Sequence, residues 1–307
     1  MEAHVEDFLT GLLDGCTVLM ERWHRRGLTG VDWSLARLTC WEGLARALPA
    51  ELSSPNGPRL DLDPAEFRLM ASEARGLGLL RDLGPVDPDA MPMLVERLYK
   101  CVSSRFDPPA AFAAPDSQAR ITDWATRHLS PPSLPQSAMA FVDFIQEAPL
   151  SARNDQVAAL LASVLPTWGG APLAHVLQPD GRTEEGYAHA LAAACEGEDG
   201  AWIAFYLGQA RRALKRMPTL RDELEPIRRR WLNLLHKGPF DNAVAEHIVS
   251  ELLALPVITP NFVAETGIEV AHLRDAMVLF IAADEAVEVD LPGDAFTVLP
   301  APLRLIA

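Results

Sequence analysis

Cysteine pairs, cations and long apolar runs are all scarce in this sequence, and each scarcity excludes a class of function. The four cysteines, Cys16, Cys40, Cys101 and Cys195, are widely spaced, with no Cys-x-x-Cys pair and no Cys/His cluster at metal-ligand spacing. Neither a zinc site nor a disulfide framework is expected, no metal is assigned, and the thiols read as reduced and mostly buried. Lys and Arg number 27 against 42 Asp and Glu, a formal charge of −15, and so acidic a surface repels phosphate backbones and anionic lipid head groups. Neither nucleic acid nor a membrane is therefore an expected partner. The least charged run, 157–177, approaches the length of a membrane span, but Pro166, Gly169, Gly170 and Pro172 interrupt it, so it reads as a core helix followed by a buried turn. The opening residues are acidic, which fits neither a secretory nor a mitochondrial signal, and the expected setting is the bacterial cytoplasm. Also absent are a Gly-x-Ser-x-Gly elbow, a phosphate loop ending in Gly-Lys-Ser/Thr, a dinucleotide glycine fingerprint, an HExxH helix and any internal repeat.

What is present is ordinary globular composition, 49% apolar and 22% charged, over a chain of 307 residues. Apolar residues recur at spacings of three and four almost throughout, which predicts a mainly α fold with strand-like alternation confined to the last thirty residues. Helices are expected at 5–25, 34–48, 64–83, 89–104, 117–128, 136–147, 155–165, 183–195, 199–216, 219–235 and 242–255, with proline-rich loops at 52–64, 107–115 and 130–135. Beyond these, Thr259-Pro260 opens a short helix, Gly267 permits a turn and a second helix runs over 270–283. Val287, Val289 and Leu291 then alternate into a Pro292-Gly293-Asp294 turn, and Phe296 and Val298 return. Helix, turn, helix and β-hairpin is the layout of a winged helix-turn-helix. The expected division is an N-terminal helical region at 1–115, a helical core at 116–238 and a winged-helix-like module at 239–307.

Charge is uneven along the chain. Over 205–237 nine basic residues face three acidic ones, a net +6, whereas from 240 onward Arg274 and Arg304 oppose eleven acids, a net −9. Arg211, Arg212, Lys215 and Arg216 recur at i,i+4 on a face opposite Trp202, Phe205 and Leu214, and Arg228, Arg229 and Arg230 follow. These seven are the candidate anion or partner contacts, and the favoured reading is a solvated face making ion pairs with the acidic C-terminal module. The second helix of the winged layout offers Glu269, His272, Arg274 and Asp275 rather than a row of base-reading cations, and its wing carries Glu285, Glu288, Asp290 and Asp294. The histidines, among them His24, His189 and His247, have no second ligand at helical spacing. The seven tryptophans are spread one per element, as anchors between packed helices are; Trp33, Trp41 and Leu44 are expected to pack the N-terminal helices onto the core.

At 138–165 the text AMAFVDFIQEAPLSARNDQVAALLASVL resembles the Fic family, whose active members transfer a nucleotidyl group from ATP to a target hydroxyl. The family signature is His-Pro-Phe-x-acid-Gly-Asn-Gly-Arg-x-x-Arg, with a helix ending in Phe four residues before the His. In that register the upstream Phe is Phe144, the Pro is Pro149 and the Asn is Asn154. The likeness continues through a Tyr-bearing helix (Tyr187), an acidic turn and a Trp-led helix (Trp202, Phe205, Tyr206), and extends from about Ser117 to the C-terminal winged layout.

The departures carry the functional expectation. Ala148 stands in place of the signature His, Leu150 of the Phe, Ala152 of the acid, Arg153 and Asp155 of the two glycines, Gln156 and Ala159 of the two arginines. A methyl group cannot take a proton from a hydroxyl. Ala152 offers no carboxylate to Mg²⁺. Side chains at 153 and 155 sit where backbone N–H groups would cradle phosphates, and the arginine clamp on the transferring group is gone. Glu147 as a displaced base and Asp155 as a metal ligand are the two possible rescues; both lose to the plainer reading in which Glu147 ends one helix and Asp155 caps the next. The resemblance thus implies a pseudoenzyme, with no cofactor, acting through protein contacts as a regulator. A Fic-related DNA-binding regulator and a divergent AMP transferase are the alternatives.

Overall fold

The computed structural model describes residues 2–26, 30–48, 62–80, 84–103, 107–130, 132–168, 171, 175–177, 182, 185–259, 262–291 and 294–306. At 2–6, 24, 26, 30–33, 43, 64, 185, 290–291 and 294–296 the description is of backbone only. The side chains of His24, Trp33, Asp290 and Asp294, the residues Gly169, Gly170, Pro172 and Pro260, and the Pro292-Gly293 hairpin tip, all singled out from the sequence, lie outside it.

The fold is mainly α with one small sheet, as the spacing predicts. In chain order the elements are α1 (Glu2–Arg26), α2 (Gly30–Leu38), a 3₁₀ turn (Thr39–Trp41), α3 (Glu42–Ala47), α4 (Pro64–Leu80), a 3₁₀ turn (Pro88–Ala90), α5 (Met91–Val102), α6 (Ser117–His128), α7 (Leu134–Glu147) and α8 (Asn154–Trp168). They continue as α9 (Glu185–Cys195), α10 (Asp199–Leu235), α11 (Asn242–Ala254), β1 (Val257–Ile258), α12 (Phe262–Thr266), α13 (Val270–Ala282), β2 (Val287–Leu291), β3 (Asp294–Val298) and α14 (Pro300–Ile306). The chain divides into two compact units. One comprises Met1–Leu28 with Arg75–Met217, the other Thr29–Ala74 with Pro218–Ala307. This differs from the division expected at 115 and 238, because α2 packs against α11 and α14 against α2 and α3, which joins 29–74 to the C-terminal part.

The first unit is built around α8, whose residues are buried from Gln156 to Pro166 on every side. A helix apolar all round is a core helix, which accounts for the low charge of this run. Around it, Trp202 on α10 stacks on Phe141 of α7 at 5.0 Å and donates from Nε1 to the Ala138 carbonyl at 2.8 Å. Trp124 on α6 donates to the Ala140 carbonyl at 2.9 Å and meets Phe144 edge-on. Tyr187 on α9 meets Trp202 and Phe205 edge-on, so the aromatics read from the post-motif segment form one cluster. The turn from α9 to α10 requires Gly197, at φ +93°. The Gly197 N–H bonds the Ala194 carbonyl and the Glu198 N–H the Ala193 carbonyl, closing the helix end in a Schellman motif.

Two buried protic groups set an alkaline limit on this unit. Burial pushes the Cys16 thiol up to about 11 from 9.0, against a smaller lowering by Arg211, and burial and then Cys16 push the Tyr206 phenol upward as well. Both raised groups are neutral in the folded chain while their unfolded counterparts ionise first. The Cys16 contribution is whole below pH ~9 and is lost as pH rises toward 11, whereas that of Tyr206 begins to fall only above its ordinary value of 10.0. Urea midpoints measured from pH 8 to 11 should fall over this interval, and Cys16→Ala should flatten the fall.

In the second unit, α11, β1, α12, α13 and the β2–β3 hairpin follow the helix–turn–helix–hairpin order expected from the sequence. All strand pairs are antiparallel in the order β1-β3-β2, with Val257 and Val287 both opposite Val298. β1 escapes sequence alternation because it has two residues, and α14 because Pro300 and Pro302 sit in its first turn, where proline is tolerated. The helix expected at 34–48 is interrupted by the 3₁₀ turn, whereas the two expected at 199–216 and 219–235 are one helix, α10, with Pro218 and Pro226 inside it. Buried Met217, Leu220 and Leu224 flank Pro218 and offset its lost backbone hydrogen bond. Trp41 and Leu44 are buried as expected of helix anchors, here within the second unit, with Trp41 5.7 Å from Phe67. Among the described residues no helix is long and apolar enough to cross a membrane.

Candidate functional site

The loop between α7 and α8 is where the sequence places chemistry, and its backbone is fixed at both ends by left-handed residues. Ala148 ends α7 at φ 40°, with its N–H on the Phe144 carbonyl, and Arg153 precedes α8 at φ 61°. Neither is glycine, so each conformation costs on the order of 1–2 kcal/mol that surrounding contacts must offset. Position 153 therefore holds a left-handed backbone while carrying a side chain.

The contacts that hold the loop come from within it and from the segment 107–113. Asn154 accepts from the Leu150 N–H through Oδ1 and donates to the Leu150 carbonyl through Nδ2, both at 3.0 Å, so its amide closes the loop on itself. Leu150 forms an isolated antiparallel bridge with Phe112; the Ala113 N–H donates to the Pro149 carbonyl and the Ser151 N–H to the Ala111 carbonyl. The Ser151 hydroxyl donates to the Ala110 carbonyl at 2.5 Å, and Tyr99 anchors the segment by donating to Pro108. The Arg153 guanidinium lies 3.0 Å from the Asp107 carboxylate through both Nε and a terminal nitrogen. Leu150 is buried, Ala152 and Arg153 are half-buried, and Asp155 is exposed in the first turn of α8. Asp155 follows Asn154 inside the helix, so it complements the helix dipole rather than serving as the cap the sequence suggested.

Gln156 is buried, and its Oε1 has no hydrogen-bond partner among the described residues. An orphaned carbonyl oxygen costs about 1–3 kcal/mol; a guanidinium there would need a counter-charge. Glu147, the candidate displaced base, accepts from Arg127, which also pairs with Asp143 at 3.0 Å, while its backbone carbonyl accepts from Arg120 at 2.6 Å. His128 lies 2.8 Å from Asp143. The carboxylates at the end of α7 are thus engaged by α6.

The basic residues fall into two sets. In the second unit, Arg228 reaches both Glu246 oxygens at 2.5 and 2.7 Å, and Arg230 grips Glu285 at 2.5 and 2.9 Å; Arg229 pairs with Glu225 on its own helix. The Trp231 indole donates to Glu285 as well. In the first unit, Arg211, Arg212 and Lys215 are exposed and Arg216 half-buried, with the Arg211 guanidinium packed over Gly15. Sequence reasoning missed Asp107, Tyr99 and Ser151, because pairing between a proline-rich loop and a distant motif leaves no periodic signal. No group of three or more His, Cys, Asp or Glu that could hold a metal occurs among the described residues. A recess lined by Met20, Leu134, Ser163, Pro166, Val176 and Leu214 includes no residue of the 148–156 loop, and holds no more than about one water-sized molecule.

No protein-family model and no curated protein matches the chain. Among solved structures, a Fic family protein from Desulfovibrio desulfuricans G20 is similar at TM-score 0.48 and 12% identity, over 95% of each chain. Fic-1 from C. elegans is similar at TM-score 0.46 and 16% identity, over 70% of this chain and 72% of that one.

Proposed function

We propose that this chain is a non-catalytic Fic-like protein that acts through protein contacts as a regulator. The observation that supports the reading is the closure of the 148–156 loop. Asn154 bonds its own loop, Arg153 is paired with Asp107, and a methyl group stands at 148, where the resemblance puts a base. A transfer centre needs a proton acceptor near neutrality and donors aimed at developing charge, whereas Ser151 and Asn154 are turned to backbone and Arg153 to Asp107.

ATP binding would stabilise the folded chain by mass action. In a thermal-shift titration with millimolar ATP and Mg²⁺, the midpoint should move by less than about 1 °C. A saturable shift of several degrees would favour the divergent-transferase reading instead.

A further inference from the structure

Six large apolar side chains are exposed among the described residues, and three share one face of α13: Val270, Val278 and Ile281, at 68%, 62% and 53% accessibility. The opposite face of α13 buries Leu273, Ala276 and Phe280. Positions 270, 274, 278 and 281 follow one another by helical steps, so they form a continuous stripe, widened by exposed Ala271 and Ala282. Arg274, the one cation on the stripe, holds Asp275 through two contacts at 3.0 and 3.1 Å.

The rim of the stripe is acidic. Exposed Glu269 precedes the helix, Asp275 flanks the stripe and exposed Asp284 lies just past the helix end. Asp284 closes the end of α13. It stands at φ 57° in a Schellman position, its N–H on the Ile281 carbonyl and that of Glu285 on the Phe280 carbonyl, where glycine is less strained. A carboxylate there also opposes the negative end of the helix dipole.

We propose that this face of α13 docks an amphipathic helix of a protein partner, one whose apolar stripe is bordered by Lys and Arg. The apolar face supplies burial, and the acidic rim selects a basic border. A two-fold contact with a second copy would bring one acidic rim against another, a like-charge arrangement. The proposal deepens the contact-protein reading and rests on it for the expectation of a protein partner. Nucleotide assays report on the 148–156 loop and peptide binding reports on α13, so the two can fail separately.

The test uses the full chain and two fluorescein-labelled 16-residue helical peptides with the same Leu stripe, one bordered by Lys and one by Glu, read by anisotropy. The Lys peptide should bind at least about tenfold more tightly than its Glu twin, and more weakly as salt rises. Val278→Glu and Ile281→Glu should each weaken it by about tenfold or more, and Glu269→Lys with Asp284→Lys should reverse the preference even if the apolar-face variants fold poorly. Absent or equal binding of the two peptides would overturn the proposal. So would binding indifferent to these substitutions, or a concentration-dependent dimer of the wild type that Ile281→Glu abolishes, which would make a second copy the occupant.

Discussion

Arg37→Ala and Glu251→Ala should each destabilise the second unit by about 3–5 kcal/mol, more than any surface substitution. Arg37 on α2 and Glu251 on α11 meet at 2.8 Å with side chains 4% and 3% exposed, and Arg37 Nε also donates to the Ala74 carbonyl at 3.2 Å. Removing either partner leaves the other charge in a dry interior. Replacing both at once, Arg37→Met with Glu251→Leu, removes the desolvation penalty along with the attraction and should cost far less than the two single changes together. Urea unfolding followed by tryptophan fluorescence of the wild type, the single variants Arg37→Met and Glu251→Leu, and the variant carrying both gives all four corners of this cycle. A near-additive result would mean that the pair is incidental to the join between α2 and α11.

Trp202→Ala should cost the first unit about 3–5 kcal/mol. The indole is fully buried, stacks on Phe141 and Phe205, meets Tyr187 edge-on and hydrogen-bonds the Ala138 carbonyl. Its loss leaves a large cavity beside α7, the helix that ends in the 148–156 loop, and removes the donor to that helix. Trp202→Phe keeps much of the burial and should cost distinctly less. Thermal midpoints of the two variants would order them; equal midpoints near wild type would contradict this view of the core.

These two sites also show what the sequence reveals and what it conceals. Trp202 sits on a strong 3.6-residue period, and its role as an anchor is legible from spacing alone, as is the low charge of buried α8. The Arg37–Glu251 pair is not legible. Each residue is an ordinary charge on an ordinary helix, and only the long-range packing of α2 on α11 buries them together. The same holds at the candidate site. The replacements at Ala148, Ala152, Arg153 and Gln156 can be read directly, but not the pairing of 107–113 with the loop, nor the turning of Asn154 onto Leu150. Proline misled at 218, where it reads as a helix end although buried neighbours carry α10 through it. The ion pairs expected of the basic stretch are observed for Arg228 and Arg230, whose acidic partners lie 18 and 55 residues away.

The most direct test of a closed, non-catalytic loop is transfer itself. The full chain is incubated with ATP labelled on the α-phosphate and on the adenine, with Mg²⁺ or Mn²⁺, and with cell lysate as the source of targets. Label on protein should not rise above that produced by an unrelated protein at equal concentration. Robust labelling that Glu147→Gln or Asp155→Asn abolishes would contradict the account, and would place a working base or metal ligand beside Ala148 after all.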